Sequence, residues 1–329
     1  MAEVPTAESF ITLLGGFPVK PPLTTQTLHM QDCGLYTQTL LEYATEGDER
    51  VQAYLLTPHQ ATTSAPGVIA IHQDGSHRPY EYGKSEPAGV AGDAELAYGR
   101  ELCLRGYVVL CPDRFPFESR RLALSPFNEQ FAAFRIFTEH GVELTEDLYV
   151  GCVANRLLLE EGRMLLGKHL FDLSRAVDCL VARPEVDPRR VGVIGHSAGG
   201  FLAALLMYVD ERLHAGCASC GTFLYRHVFT RDSLRPINGF GGVGAPGLAR
   251  WGDLNDVRAG LAPRAFLDTS GDRLSPPAVA DLTDKARQRF AALGVAERYH
   301  YLEHDGGHTF PPVIREYAYA WLDGWLGRL

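Results

Sequence analysis

A mainly parallel β-sheet covered by helices on both faces, with an antiparallel hairpin at its N-terminal edge, is the α/β architecture this sequence predicts. Three observations predict it. Compact apolar, β-branched runs such as Gly67–Ile71, Tyr107–Cys111 and Val191–Ile194 show no polar alternation, as expected of strands buried on both faces. Between such runs lie longer segments with helical periodicity, so strand and helix alternate. Ahead of them, two Thr-, Tyr- and Val-rich stretches, Tyr36–Thr45 and Val51–Thr57, flank the polar Glu46-Gly-Asp-Glu-Arg50 and read as a hairpin. At 329 residues, with no low-complexity stretch or charge run to mark a linker, residues 1–329 are expected to form a single domain.

Taken in order, a proline-rich lead (Pro18, Pro21, Pro22) precedes the hairpin, and Ala61–Pro66 is a loop before the strand Gly67–Ile71. A long polar loop with Gly83, Gly89 and Gly92 follows. Asp93–Leu104 is then a helix, because Ala94, Leu96, Ala97 and Leu104 make an apolar face and Gly106 closes it. After Pro112-Asp113 the alternation breaks. Residues 114–169 read as a helical insertion, with aromatics at helical spacing in Phe127–Phe137 and a second helix over Val153–Met164. Such stripes are usually core, but an insertion after a strand's C-terminal end lies where open α/β sheets bind ligands, so a lid or pocket wall carrying Phe131 and Phe134 is expected. Alternation resumes with the helix Leu170–Ala182, a turn at Pro184–Pro188, the strand Val191–Ile194 and the helix Phe201–Tyr208. Next come the strand Ala215–Ser219, an irregular stretch over Phe223–Arg258, and the strand Arg264–Asp268. The helix Pro277–Leu293, the strand Ala296–Leu302 and the helix Pro311–Leu326 close the chain.

Composition narrows the function classes. A hydrophobic share of 46% and a charged share of 22% belong to a globular chain with a sizeable core. The formal net charge of −9 disfavours attraction to nucleic acid or an anionic membrane surface. No apolar stretch is long enough to span a bilayer, and the acidic N-terminus does not read as an export signal. The seven cysteines, odd in number and several inside apolar runs, suit reduced thiols in the cytoplasm. Cys217-Ala-Ser-Cys220 has redox or half-metal-site spacing, yet no second Cys/His pair follows, so neither a metal nor another cofactor is expected. The expected partner is a small ester, and self-association into a homo-oligomer stays open.

The chemistry centres on Gly195-His196-Ser197-Ala198-Gly199. A serine on a sharp turn between a strand and a helix, flanked by glycines that clear the crossing, is a nucleophile elbow. A serine hydroxyl needs a base. Later loops supply Asp272 in Thr269-Ser-Gly-Asp272 and His308 in Glu303-His-Asp-Gly-Gly-His308, each just after a strand, so the chain order is Ser, Asp, His. Asp268 rivals Asp272 but reads as part of the strand itself; His304 rivals His308, which the glycine pair would free to reach the serine. Either acid or histidine could instead be a turn or surface residue. The oxyanion donors are expected from the backbone N–H of Ala198 and, in the loop His72-Gln-Asp-Gly75, from that of Asp74, with Gln73 second. His72 and His196 are placed at the substrate pocket with Phe131 and Phe134.

These residues bring a resemblance with them. Ile71-His-Gln-Asp-Gly75, Gly83-Lys-Ser-Glu-Pro-Ala-Gly89, Arg105–Asp113, Pro184-Glu-Val-Asp187, Gly195–Gly200, Ala262-Pro-Arg264 and Gly306-Gly-His308 are similar to the dienelactone-hydrolase and acetyl-xylan-esterase-like branch of the α/β-hydrolases. The resemblance runs from Val68 to His308. It implies the α/β-hydrolase fold, cofactor-free ester hydrolysis, and the roles of nucleophile for Ser197, acid for Asp272 and base for His308. The nucleophile is serine where dienelactone hydrolases carry cysteine, which points to the esterases. The expected function is therefore serine-dependent hydrolysis of small acyl, aryl or sugar esters. A peptidase or amidase using the same triad is the alternative, and a non-catalytic hydrolase-like binding protein is the alternative of another class.

Overall fold

The computed structural model describes residues 5–61, 64–75, 80–122, 146–228, 244–271 and 273–327. Among the described residues nine strands form one sheet in the order β1-β2-β3-β5-β4-β6-β7-β8-β9. The hairpin is β2 (Tyr36–Ala44) and β3 (Arg50–Pro58), paired in antiparallel register from Tyr36 opposite Pro58 to Ala44 opposite Arg50. Contrary to expectation it does not form the sheet's edge: β1 (Thr25–Asp32) lies outside it, antiparallel to β2, with all eight residues exposed. A strand with no buried face leaves no hydrophobic alternation in the sequence. The remaining strands, β4 (Ala65–Ile71), β5 (Val108–Pro112), β6 (Val186–His196), β7 (Ala215–Ser219), β8 (Ala265–Ser270) and β9 (Tyr299–Glu303), run parallel.

Alternate residues of these strands feed two cores. Ile69, Ile71, Val191 and Val193 face one layer, and Val68, Ala70, Ile194 and Cys217 the other. On the first layer lie α4 (Leu165–Val181), α5 (Ala198–Val209), α8 (Leu254–Gly260) and α9 (Pro276–Ala292). The other is covered by α2 (Tyr98–Leu104) and α10 (Pro312–Leu326), whose Ile314, Ala318, Leu322 and Leu326 recur at the helical spacing that buries one stripe. Shorter helices are α1 (Ala7–Leu13), α6 (Tyr225–Val228) and α7 (Leu248–Trp251), the last two within the stretch expected to be irregular.

Two helices depart from expectation. The predicted helix Asp93–Leu104 is broken into a 3-10 turn at Ala94–Leu96 and α2, and the helix expected from Leu170 already begins at Leu165. The extra turn of α4 carries Lys168 and His169, polar residues buried by partners distant in sequence. Periodicity of apolar residues does not register them. Of the expected insertion, α3 (Glu146–Glu161) is described, while Phe131 and Phe134 lie outside the described residues. Among the described residues no helix is long and apolar enough to cross a membrane.

A buried charge cluster fastens both flanks of that insertion to the β2–β3 turn. Arg120 bridges Asp172 at 2.6 Å and Glu49 at 2.7 Å, and Lys168 reaches Glu49 at 2.8 Å and Glu46. Arg163 closes on Glu46 at 2.5 Å. Burial by itself would raise the Asp172 carboxyl, but Arg120, Lys168 and the Thr45 hydroxyl outweigh it and hold the acid below its ordinary value. Asp172 therefore contributes stability that is complete above the ordinary carboxylate range and lost as pH falls through its depressed folded value. Asp172→Ala should cost about 3–5 kcal/mol, because Arg120 and Lys168 lose a buried partner. Urea melts from neutral to acid pH check this: the variant should be weaker at neutral pH and lose less on acidification than the wild type.

Candidate active site

The site occupies the point where strand order reverses. From β4 the chain proceeds to β5 on one side and then to β6 on the other, so the loops after β4 and β6 diverge and leave a crevice at their C-terminal ends. Ser197 follows β6 and caps α5 with φ +54° and ψ −123°, a strained conformation for a non-glycine residue. The glycines around it are required. A Cβ on Gly195 would overlap the Gly199 carbonyl, and one on Gly199 would overlap the carbonyl of Ile71 at the end of β4. The same contact sets the β4 loop directly against the start of α5.

His308 lies opposite the serine, with its Nε2 2.7 Å from Ser197 Oγ, a distance at which the imidazole can accept the hydroxyl proton. His304, the rival, is turned away: its Nδ1 sits 3.4 Å from the Asp305 carbonyl, and its ring edge packs at Gly271. Asp272 lies outside the described residues, but both its neighbours are tied to the histidine loop. Gly271 packs so closely on Gly307 that a Cβ would strike the Gly307 carbonyl, and Arg273 forms an ion pair with Asp305. Asp268 is engaged elsewhere. It is fully buried in β8, where it takes hydrogen bonds from Thr222 at 2.8 Å, Tyr299 at 3.1 Å and the equally buried Arg258 at 3.2 Å.

The β4 loop is held by buried groups. His72 is fully buried, so its ring stands behind the expected pocket and not on its surface. Its Nε2 accepts the backbone N–H of Arg114 at 3.1 Å, which assigns the proton to Nδ1, and Nδ1 donates to the Gln73 carbonyl at 2.7 Å. Burial and then the Arg114 charge push this imidazole well below its ordinary value, so it stays neutral. The Gln73 carbonyl and the Asp74 N–H belong to one planar trans peptide and point in opposite directions. Fixing the first aims the second. Arg114 adds a 2.7 Å contact to the Asp74 carboxylate and stacks over Phe117, while the Gln73 side chain reaches Glu86 at 3.2 Å. Arg114 escaped sequence reasoning; its one signal is a cation directly after Pro112-Asp113, where a strand ends.

His196 is likewise buried and departs from the pocket position expected for it. It stacks on Phe310, lies 5.2 Å from the His308 ring between centroids, and meets Ser219 Oγ at 3.1 Å, so it backs the His308 imidazole. Ser219 was also missed: its carbonyl accepts the Ser197 N–H at 2.7 Å and so steadies the strained elbow.

Residues 157–247, which include the elbow, match the prolyl oligopeptidase family. Over 318 residues the chain is 28% identical to a Bacillus subtilis (strain 168) protein described as "Putative hydrolase YtaP", covering 95% of this chain and 96% of that one. A solved structure described as "a putative acetyl xylan esterase" from Bacteroides fragilis NCTC 9343 superposes with a TM-score of 0.69 at 17% identity, over 96% of this chain and 80% of that one. A glucuronoyl esterase from Solibacter usitatus gives 0.67 at 17% identity, over 98% and 92%. Parallel strands reversing order beneath a serine elbow, together with these likenesses, identify the chain as having the α/β-hydrolase fold.

Proposed function

We propose that the protein is a carboxylic-ester hydrolase working through an acyl-enzyme on Ser197. The observation that carries this reading is the 2.7 Å approach of His308 Nε2 to an Oγ presented at positive φ on the elbow. His308 takes the Ser197 proton as Oγ attacks the ester carbonyl, then returns it to the departing alkoxide. Water, activated by the same imidazole, releases the acid. Asp272 holds the imidazole's tautomer and stabilises its charged form. The Ala198 and Asp74 N–H groups, with Gln73 beside them, receive the oxyanion, and losing one such donor typically costs about 10²–10³ in turnover.

Likeness to esterases of acetylated xylan and of glucuronoyl groups supports a sugar ester as the substrate class. The match to the prolyl oligopeptidase family across the elbow favours a second reading, amide cleavage by the same residues. A panel of p-nitrophenyl acetate, acetylated xylo-oligosaccharides, a methyl glucuronate ester and a prolyl anilide separates them. Turnover confined to the esters is expected; faster turnover of the anilide would replace the proposal with the second reading.

A further inference from the structure

The dipeptide Ser219-Cys220 leaves the end of β7 in contact with the serine elbow, the end of β8 and the histidine loop. The Ser219 carbonyl holds the Ser197 N–H at 2.7 Å, and the Cys220 N–H bonds the Thr269 carbonyl at 2.7 Å. Gly221, next in line, lies against the backbone of Gly200 and Phe201 in the first turn of α5, so tightly that a Cβ there would overlap it. The Cys220 thiol completes the junction. Its Sγ accepts the Gly271 N–H at 3.4 Å and donates to the Thr309 carbonyl at 3.5 Å. Gly271 precedes Asp272 in the chain and Thr309 follows His308.

Two independent features single this residue out. Cys220 has φ +49°, a conformation that is strained for a non-glycine residue and persists where its surroundings impose it. The residue is 7% exposed, and its Sγ makes two polar contacts to backbone at distances suited to sulfur. A hydroxyl bonds at about 2.8–2.9 Å, so a serine oxygen here would need one or both loops to move inward.

We propose that Cys220 is a positioning residue that sets the distance between the acid loop and the base loop, its thiol acting as a spacer that joins Gly271 to Thr309. This rests on the hydrolase reading of Ser197, Asp272 and His308. It also gives Cys217-Ala-Ser-Cys220 a use that is neither redox nor metal binding, since Cys217 stays within β7, fully buried.

Cys220→Ala removes the spacer, and Cys220→Ser keeps a polar but shorter one. For a short-chain p-nitrophenyl ester, Cys220→Ala should lower kcat about tenfold with KM changed less than about twofold, because misplacing a catalytic pair penalises the transition state more than binding. Cys220→Ser should recover part of the loss. The acidic limb of the kcat/KM profile should move to lower pH in Cys220→Ala, since a displaced acid stabilises the imidazolium less. Thermal melts accompany the kinetics. An active wild type with an unchanged kcat and pH profile in Cys220→Ala, whatever its Tm, overturns the spacer alone. A wild type that neither turns over esters nor takes a fluorophosphonate label dependent on Ser197 overturns the hydrolase reading and the spacer with it.

Discussion

Replacing Ser197 with alanine is expected to lower ester turnover by about 10⁶-fold while leaving the fold in place, the loss typical when the nucleophile of a serine triad is removed. The geometry explains both halves. The hydroxyl meets His308 on the open side of the elbow. The backbone, by contrast, is fixed by contacts that alanine keeps: the Ser197 N–H on the Ser219 carbonyl, the Phe201 N–H on the Ser197 carbonyl, and the close packing of Gly195 and Gly199. Alanine at φ +54° carries the same steric strain as serine, so Tm should change little. Turnover, fluorophosphonate labelling and a thermal melt on one preparation test this. Residual turnover within tenfold of wild type would show that another group attacks the ester, and the proposed acyl-enzyme would be abandoned.

The two aspartates near the end of β8 should separate into one kinetic and one structural effect. Asp272→Asn should lower kcat by about 10⁴ with Tm unchanged, the size of loss seen when a triad histidine loses the acid that sets its tautomer. Asp268→Ala should instead leave the Arg258 guanidinium buried without a counter-charge and strip Thr222 and Tyr299 of their acceptor. Breaking a buried pair in that way costs about 3–5 kcal/mol, which for a chain of this size lowers Tm by roughly 5–10 °C. At temperatures well below that midpoint the Asp268 variant should still turn over ester. The assignment is reversed if the Asp268 variant melts like wild type but is inactive, and the Asp272 variant is active.

Part of the β4 loop was legible from the chain and part was not. Asp74 and Gln73 could be named as candidate donors because they follow a recognisable strand and precede a glycine. The imidazole of His72, by contrast, reads as a pocket residue in sequence, since a histidine after a strand end commonly faces ligand. The ring is buried among residues much later in the chain: the backbone N–H of Arg114, 42 positions on, donates to its Nε2, and Phe117 packs against it. His196 was misplaced for the same reason, its neighbours Ser219, His308 and Phe310 all coming from other loops.

By itself the sequence determined the alternation of strands and helices, the serine elbow and the Ser-Asp-His order, because apolar periodicity, glycine spacing and turn chemistry are local properties written into consecutive residues. It was blind to β1, an exposed edge strand held by backbone pairing that any side chain permits, and to the first turn of α4, where Lys168 is buried against Glu46 and Glu49 and His169 against the Phe115 carbonyl. Tertiary structure decided what the sequence only favoured, that His308 and not His304 meets Ser197, and it alone showed that Asp268 is committed to Arg258 and that Ser219-Cys220 joins the elbow to the loops after β8 and β9. Those outcomes depend on how loops after different strands cross at one end of the sheet, where distances are set by the packing of the whole domain and by no single stretch of chain.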